Sequence, residues 1–291
     1  MLEKGLVMRP RRAVFALEYI GATVDALGRL AQDDSVSEGE LAWPRAVLQT
    51  YFEVVGEDDS GTIRNAKERF EAVCSSGTFA PHPGAVSSVP YSQGTLDRSP
   101  VTPEAFVGLA QQRRSVRWFD GAPVPREVID RAIEVGALAP SACNRQPFRF
   151  IVTTDAATVA QLIDLPLGTR GYGHQVPGLI VAVGNLSAFY SERDRHLIYI
   201  DASMAIMQMA LAFETEGVST CCINWPDIAE RERLARRVLE LERWEQIVMF
   251  VAFGYADPTG GVPYSAKRPL DELRSYLGHS HVEEVPSHGR H

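Results

Sequence analysis

The sequence predicts an α/β or α+β protein, a mixed sheet covered by helices, with a separate helical segment in front of it. Three observations carry this expectation. Helical and strand periodicities alternate from residue 103 to residue 254, the pattern of a layered sheet domain. The run Leu179 to Val183 is apolar without interruption, as in a strand buried on both faces. Residues 9 to 75, by contrast, show only three- and four-residue apolar steps, which is helical spacing.

Taken in order, Ala13 to Leu30 places Val14, Leu17, Ile20, Val24, Leu27 and Leu30 on one stripe. Leu41 to Val55 repeats the pattern, and a third helix is expected over Ile63 to Val73 after the turn-rich Gly56 to Gly61. No catalytic cluster occurs there, so residues 1–75 read as a packing or oligomerisation appendage. From Ser75 to Pro103 five prolines stand among Ser, Gly and Thr, a composition that does not support regular structure. Residues 76–101 read as a linker, with the domain boundary near residue 100. Beyond it, Pro103 to Gln112 is a helix capped by Thr102, and Pro125 to Leu138 is a helix with proline in its first turn. Phe148 to Thr153 is a strand and Ala156 to Ile163 a helix. Asp194 to Glu216 is the longest helix; it carries no charge between Asp201 and Glu214, so it should be central and is a candidate for a subunit interface. Thr220 to Asn224 and Ile247 to Gly254 are strands around a helix at Asp227 to Leu239. The main domain spans 102–278, and the polar residues 279–291 read as a disordered tail.

Composition narrows the function. The chain has 291 residues, 45% hydrophobic and 23% charged, as in ordinary globular proteins of one large domain or one domain plus an appendage. A net charge of -8 argues against a nucleic-acid partner, because no basic excess is available to neutralise phosphates. Cys74, Cys143, Cys221 and Cys222 are too few and scattered for a disulfide framework and fit reduced thiols. The opening MLEKGLVMRPRRAVF has no signal-peptide pattern, and no stretch reads as the ~20 apolar residues of a membrane span. The expectation is a cytoplasmic enzyme without a membrane partner. The seven histidines show no metal-binding spacing, so no metal site is expected. No GxGxxG follows a strand, which argues against a nicotinamide nucleotide held on a Rossmann unit.

Chemistry concentrates between residues 113 and 150. Arg113, Arg114, Ser115 and Arg117 offer guanidinium forks and a hydroxyl, the donors that suit phosphate. Were this stretch extended, residues 113, 115 and 117 would face one side, so two guanidiniums and a hydroxyl would converge on one anion. A solvated basic run after a helix is the simpler alternative. In Pro140-Ser141-Ala142-Cys143-Asn144-Arg145-Gln146-Pro147, two prolines stiffen a loop whose Ser141, Asn144 and Gln146 suit the hydrogen-bonding edge of a flavin ring; a capped helix end and tight turn would explain it equally. Glu216 and Gly217 close the long helix, where Gly217 fits a C-cap or a close backbone approach to a flat ring. Lys267 and Arg268 form a late cationic pair that could return to the phosphate.

These residues, in this order, resemble the FMN-dependent nitroreductase family over about Thr102 to Leu277. The matching stretches are RRSVRWF, APSACNRQPFRFIV, the long helix leading into EGVSTCCINW, the strand IVMFVAFGYAD and the late basic pair. The resemblance implies an α+β three-layer fold, an obligate homodimer, and FMN bound between the two chains. By it, Arg113, Arg114, Ser115 and Arg117 contact phosphate and ribityl from one subunit. Pro140, Ser141, Asn144 and Gln146 reach the flavin from the other. Glu216 and Gly217 lie near the reactive N5 edge, and Lys267 and Arg268 near the phosphate. It also implies a ping-pong oxidoreductase: NADH or NADPH reduces the flavin, and a nitro, quinone or related small-molecule acceptor reoxidises it, with no side-chain nucleophile or general base. Positive charge near N1 and O2, for which Arg117 is the candidate, would stabilise the reduced ring. Two other readings stand beside it: oxidation or dehalogenation of a biosynthetic intermediate on the same fold, and a non-catalytic role as a partner protein. The chain departs from the family in its hundred residues before the arginine cluster and in its short loop Gly168 to Gln175.

Overall fold

The computed structural model describes residues 1–75 and 89–277, so the expected tail and much of the expected linker lie outside the described residues. The chain divides into two compact units, Met1–Pro100 and Val101–His291.

The first unit is helical: α1 (Leu2–Val7), α2 (Ile20–Leu30), α3 (Glu38–Val54) and α4 (Thr62–Ser75). Ser37 and Glu40 begin α3 with a reciprocal capping box, which satisfies donors that would otherwise have no partner. Its own core joins Val24, Leu27, Leu48, Tyr51, Phe52 and Phe70. Two expectations need correction. The stripe Ala13 to Leu30 is not one helix: Ala16 takes φ 67°, and helix begins only at Ile20. Residues before that turn are fastened instead to α3, where the Tyr51 hydroxyl donates to the Phe15 carbonyl at 2.8 Å. Short α1 was not anticipated.

The second unit contains α5 (Pro103–Gln112), α6 (Arg126–Ala137), β1 (Phe148–Thr153), α7 (Ala156–Ile163), β2 (Gly178–Asn185), α8 (Leu197–Thr215), β3 (Ser219–Asn224), α9 (Ala229–Leu239), β4 (Glu245–Gly254) and the single turn α10 (Leu270–Leu273). The sheet runs β1-β2-β4-β3. Among the described residues it is not mixed: the three ladders are antiparallel, and the parallel pairing is confined to one bridge, Ser115 to Thr220. The apolar run in β2 follows from cover on both faces, not from strand direction. On one face Leu179, Val181 and Phe250 pack with Leu162 of α7 and Ala235 of α9. On the other Ile180, Ala182, Val251 and Phe253 meet Ala132 of α6 and Met209 and Phe213 of α8. The result is a three-layer α+β domain.

Burial decides the role of α8. With the turn before it, Glu192–Thr215 is long and apolar enough by length and composition to cross a membrane, contrary to the sequence expectation that no stretch is. Its Ile198, Ala202, Ala205, Ile206, Met209 and Phe213 are all buried in the unit, as a helix packed on a sheet requires. Its opposite side leaves Met204 and Met207 exposed. At its end Gly217, with φ 73°, lets Val218 N–H reach the Phe213 carbonyl and Gly217 N–H the Glu214 carbonyl, a Schellman closure.

Candidate functional site

Two polar clusters flank α8. The first forms where α5 ends. Arg113 is the C-cap residue of α5, with φ -58° and ψ 116°, after which Ser115 bridges Thr220 of β3. Arg113, Arg114, Ser115 and Lys267 line one cleft of about 660 Å³, together with Phe106 and Tyr264. The Arg114 guanidinium donates to the carbonyls of Pro263, at 2.6 Å, and Tyr264, which brings the late segment carrying Lys267 to the arginines. Arg113 Nε, Glu214 Oε2 and Thr220 Oγ1 are buried polar atoms without a partner among the described residues, an arrangement rare in folded proteins unless something further meets it. Burial pushes the Glu214 carboxyl up, opposed by the Gln112 amide and the Arg113 charge.

Arg117 is not among the residues that line this cleft. The expected alternation of 113, 115 and 117 holds for Arg113 and Ser115, which share the cleft, and fails at Arg117, whose guanidinium turns back toward the Ser115 carbonyl at 3.4 Å. The Arg117 guanidinium also lies 5.8 Å from the centroid of the Tyr172 ring. Burial, followed by the neighbouring Cys221, pushes the Tyr172 hydroxyl up to about 12. Gln175, which sequence reasoning passed over, fixes this segment. Its Oε1 accepts from Phe119 N–H at 2.9 Å, and its amide donates to the carbonyls of Arg117 and of Tyr172, the latter at 3.0 Å. Arg268 also lies outside the lining of the cleft.

The second cluster is the proline-bounded turn. Ser141 Oγ accepts from Gln146 N–H at 2.9 Å, and Asp201 Oδ2 of α8 accepts from Ala142 N–H at 3.0 Å. Asn144 and Gln146 are exposed, their carboxamides joined only by a long 3.4 Å contact, so both keep donors and acceptors for a ligand. Pro140 also borders an apolar groove of about 750 Å³ with Phe106, Leu109, Met204, Met207 and Leu211.

Glu216 and Gly217 lie at the end of α8. The Glu216 carboxylate is engaged by Arg131 of α6, at 2.8 and 3.1 Å, which holds it below its usual value and offsets a negative charge at a helix C-terminus. Gly217 has open space where a side chain would stand. Asp201 and Glu214 were legible only as the carboxylates that bound an uncharged stretch of helix; Thr220 carried no signal. Among the described residues no group of three or more His, Cys, Asp or Glu gathers as a metal site would.

The family model described as the Nitroreductase family matches residues 110–169 and 166–255, which leaves the first unit outside the match. Iodotyrosine deiodinase 1 of Sus scrofa is 24% identical over 198 residues, 58% of this chain and 68% of that protein. A Bacillus subtilis protein, by name an NAD(P)H nitroreductase (MhqN), is 23% identical over 207 residues, 59% of this chain and 98% of that protein. Among solved structures, an FMN-dependent nitroreductase from Clostridium difficile superposes with a TM-score of 0.52 at 19% identity, covering 59% of this chain and 99% of that one; at such identity the likeness establishes the fold. With the family match spanning half of the chain and the same α+β architecture in its second unit, this protein belongs to the nitroreductase family of oxidoreductases.

Proposed function

We propose that this protein is an FMN-dependent oxidoreductase, active as a homodimer, that moves electrons from NADH or NADPH to a nitro, quinone or related small-molecule acceptor. The observation that carries the reading is the cleft where Arg113, Arg114, Ser115 and Lys267 converge beside buried polar atoms that lack partners. Guanidinium, hydroxyl and ammonium donors match a phosphate monoester. The turn at Ser141 to Gln146 supplies paired donors and acceptors of the kind a flavin ring edge requires. The residues present therefore fit the cofactor.

Their separation favours a dimer. Asp201, which touches the turn, and Glu214, beside Arg113, are thirteen residues apart on α8, about 20 Å at the helical rise. A ligand gripped at both ends is best served by the arginine cluster of one chain and the turn of another. The apolar groove along Met204, Met207 and Leu211 provides a surface for that second chain, since exposed apolar patches of this kind mark association sites.

When bound, FMN supplies reversible two-electron chemistry. The protein's part is binding and electrostatics: Arg113, Ser115 and Lys267 hold the anionic end, Arg114 anchors the segment that bears Lys267, and Asn144 with Gln146 orient the ring. Arg117, whose carbonyl accepts from Gln175 and whose guanidinium lies over the Tyr172 ring, would supply positive charge to stabilise the reduced, anionic ring. Glu216 and Gly217 would border the ring, with open space at Gly217 for a donor or acceptor, and Arg268 would add cationic character near Lys267.

A second reading, reductive dehalogenation of a halogenated aromatic, is favoured by the match to the porcine deiodinase. One experiment separates them. The purified protein, loaded with FMN, is titrated anaerobically with NADH and with NADPH, then offered a nitroaromatic, a quinone or a halotyrosine. Nicotinamide oxidation coupled to nitro or quinone reduction supports the first reading; halide release in its place supports the second. A protein that takes up no FMN sinks both.

A further inference from the structure

The turn Ser141 to Gln146 is not a backbone that holds its own shape. Cys143, Asn144 and Gln146 have φ of 54°, 53° and 48°, the left-handed region that side-chain-bearing residues enter only at a conformational cost. Such a conformation persists where its surroundings over-determine it. Within the turn, Ser141 Oγ accepts from Gln146 N–H and the Ser141 carbonyl accepts from Asn144 N–H at 2.9 Å. Two ties come from outside: the Arg145 guanidinium donates to the Ala188 carbonyl at 2.8 Å, holding a side chain, and from α8 Asp201 Oδ2 accepts from Ala142 N–H at 3.0 Å, holding the backbone itself.

Asp201 is out of keeping with its helix. It is the one charged side chain between Leu197 and Phe213 and is 2% exposed, with Ile198 and Ala202 wholly buried beside it. A carboxylate withdrawn from water is unfavourable unless polar partners meet it. It does not cap α8, since it lies a full turn inside the helix. Packing is no reason for it either, because an aliphatic residue would fill the space without a desolvation cost. What a carboxylate offers there is a charge-assisted bond to a backbone N–H, stronger than a neutral acceptor provides, at the residue that leads into the positive-φ positions of the turn.

We propose that Asp201 is a positioning residue for the ring end of the flavin site: it locks the turn in the conformation that presents Asn144 and Gln146. The proposal rests on reading that turn as a flavin contact.

The test uses the full-length protein with FMN and with riboflavin, comparing wild type, Asp201→Ala and Asp201→Asn. Asp201→Ala should raise Kd for both flavins by the same factor, at least tenfold, and shift the midpoint potential of the bound FMN. A defect at the phosphate end would change FMN binding alone, and a loss of stability without repositioning would leave the potential of the saturated protein in place. Asp201→Asn, whose amide oxygen can still accept from Ala142, should stay within threefold. Should Asp201→Ala fail to fold, amide exchange in flavin-free Asp201→Leu, which fills the space but accepts no hydrogen bond from Ala142, carries the test. Exchange at Ala142 at least tenfold faster, with α6 and β1 unchanged, supports the proposal, and unchanged exchange overturns it. Wild-type affinity and potential in a folded Asp201→Ala protein overturn it while the flavin reading stands; wild type that binds neither flavin overturns both.

Discussion

Arg113 caps the end of α5 and lines the cleft shared with Ser115 and Lys267, while its Nε is buried without a partner among the described residues. If that cleft takes the FMN phosphate, Arg113→Ala removes charge-assisted hydrogen bonds and should weaken binding by about 1.5–3 kcal/mol. Fluorescence titration reads this directly, and an unchanged Kd removes the phosphate assignment. Another residue-scale consequence concerns stability. Arg149 of β1 forks onto Glu245 of β4 at 2.6 and 3.0 Å, and this pairing, against the opposing effect of burial, holds the Glu245 carboxyl below its ordinary range. A carboxyl with a lowered folded pKa adds stability above its unfolded value, which is lost as pH falls through the folded one. Glu245→Gln should therefore cost about 1–3 kcal/mol at neutral pH. Its deficit against wild type should narrow below pH ~4.3, the unfolded glutamate value. Urea unfolding across pH measures both; a deficit constant down to pH ~3 excludes this origin.

Elements held or failed according to whether local chemistry met a tertiary constraint. The strand Phe148–Thr153 and the helices Pro103–Gln112 and Ala156–Ile163 were readable to the residue, because Thr102 and Asp155 cap their helices with side-chain oxygens and proline or polar turns bound them. The stripe from Ala13 misled because apolar spacing continues through a non-helical turn whose residues pack on α3. Gly184 shows the reverse case, a requirement invisible in sequence. A Cβ there would stand 2.7 Å from Ile198 Cβ, a branch point that cannot swing away. Gly184→Ala should cost about 1–3 kcal/mol by overpacking β2 against α8. A thermal melt within about one degree of wild type would show that the layers yield more easily than a packed core allows.

For the whole molecule, each unit holds a hydrophobic core drawn from its own residues. Removing residues 1–75 should leave FMN bound to the remainder, as the flavin spectrum of the purified truncation would report; a colourless, unfolded product would make the segment part of the catalytic core. The apolar groove on the other unit bears on assembly. Met207 is exposed in it, and Met207→Glu would place a charge where a second chain is proposed to pack, an arrangement that disfavours association unless the charge is paired. Sedimentation should show monomers with FMN affinity reduced along with dimerisation. A Met207→Glu dimer with full affinity would move the interface elsewhere.

The sequence alone determined the order and type of most elements, and it marked the arginine and proline-bounded clusters as candidates. Each of these is written in local terms: periodicity, caps, turn residues and the spacing of donors. Tertiary structure decided what depends on residues far apart in the chain. It turned the expected mixed sheet into an antiparallel one. It brought Lys267, but not Arg117, to the arginine cleft, and spent the Glu216 carboxylate on Arg131. It also buried Asp201 and Glu214 at places where groups remote in sequence meet them, the Ala142 N–H in one case and the Gln112 and Arg113 side chains in the other. Local spacing cannot encode such outcomes, because burial and pairing are set by which surfaces the folded layers bring together.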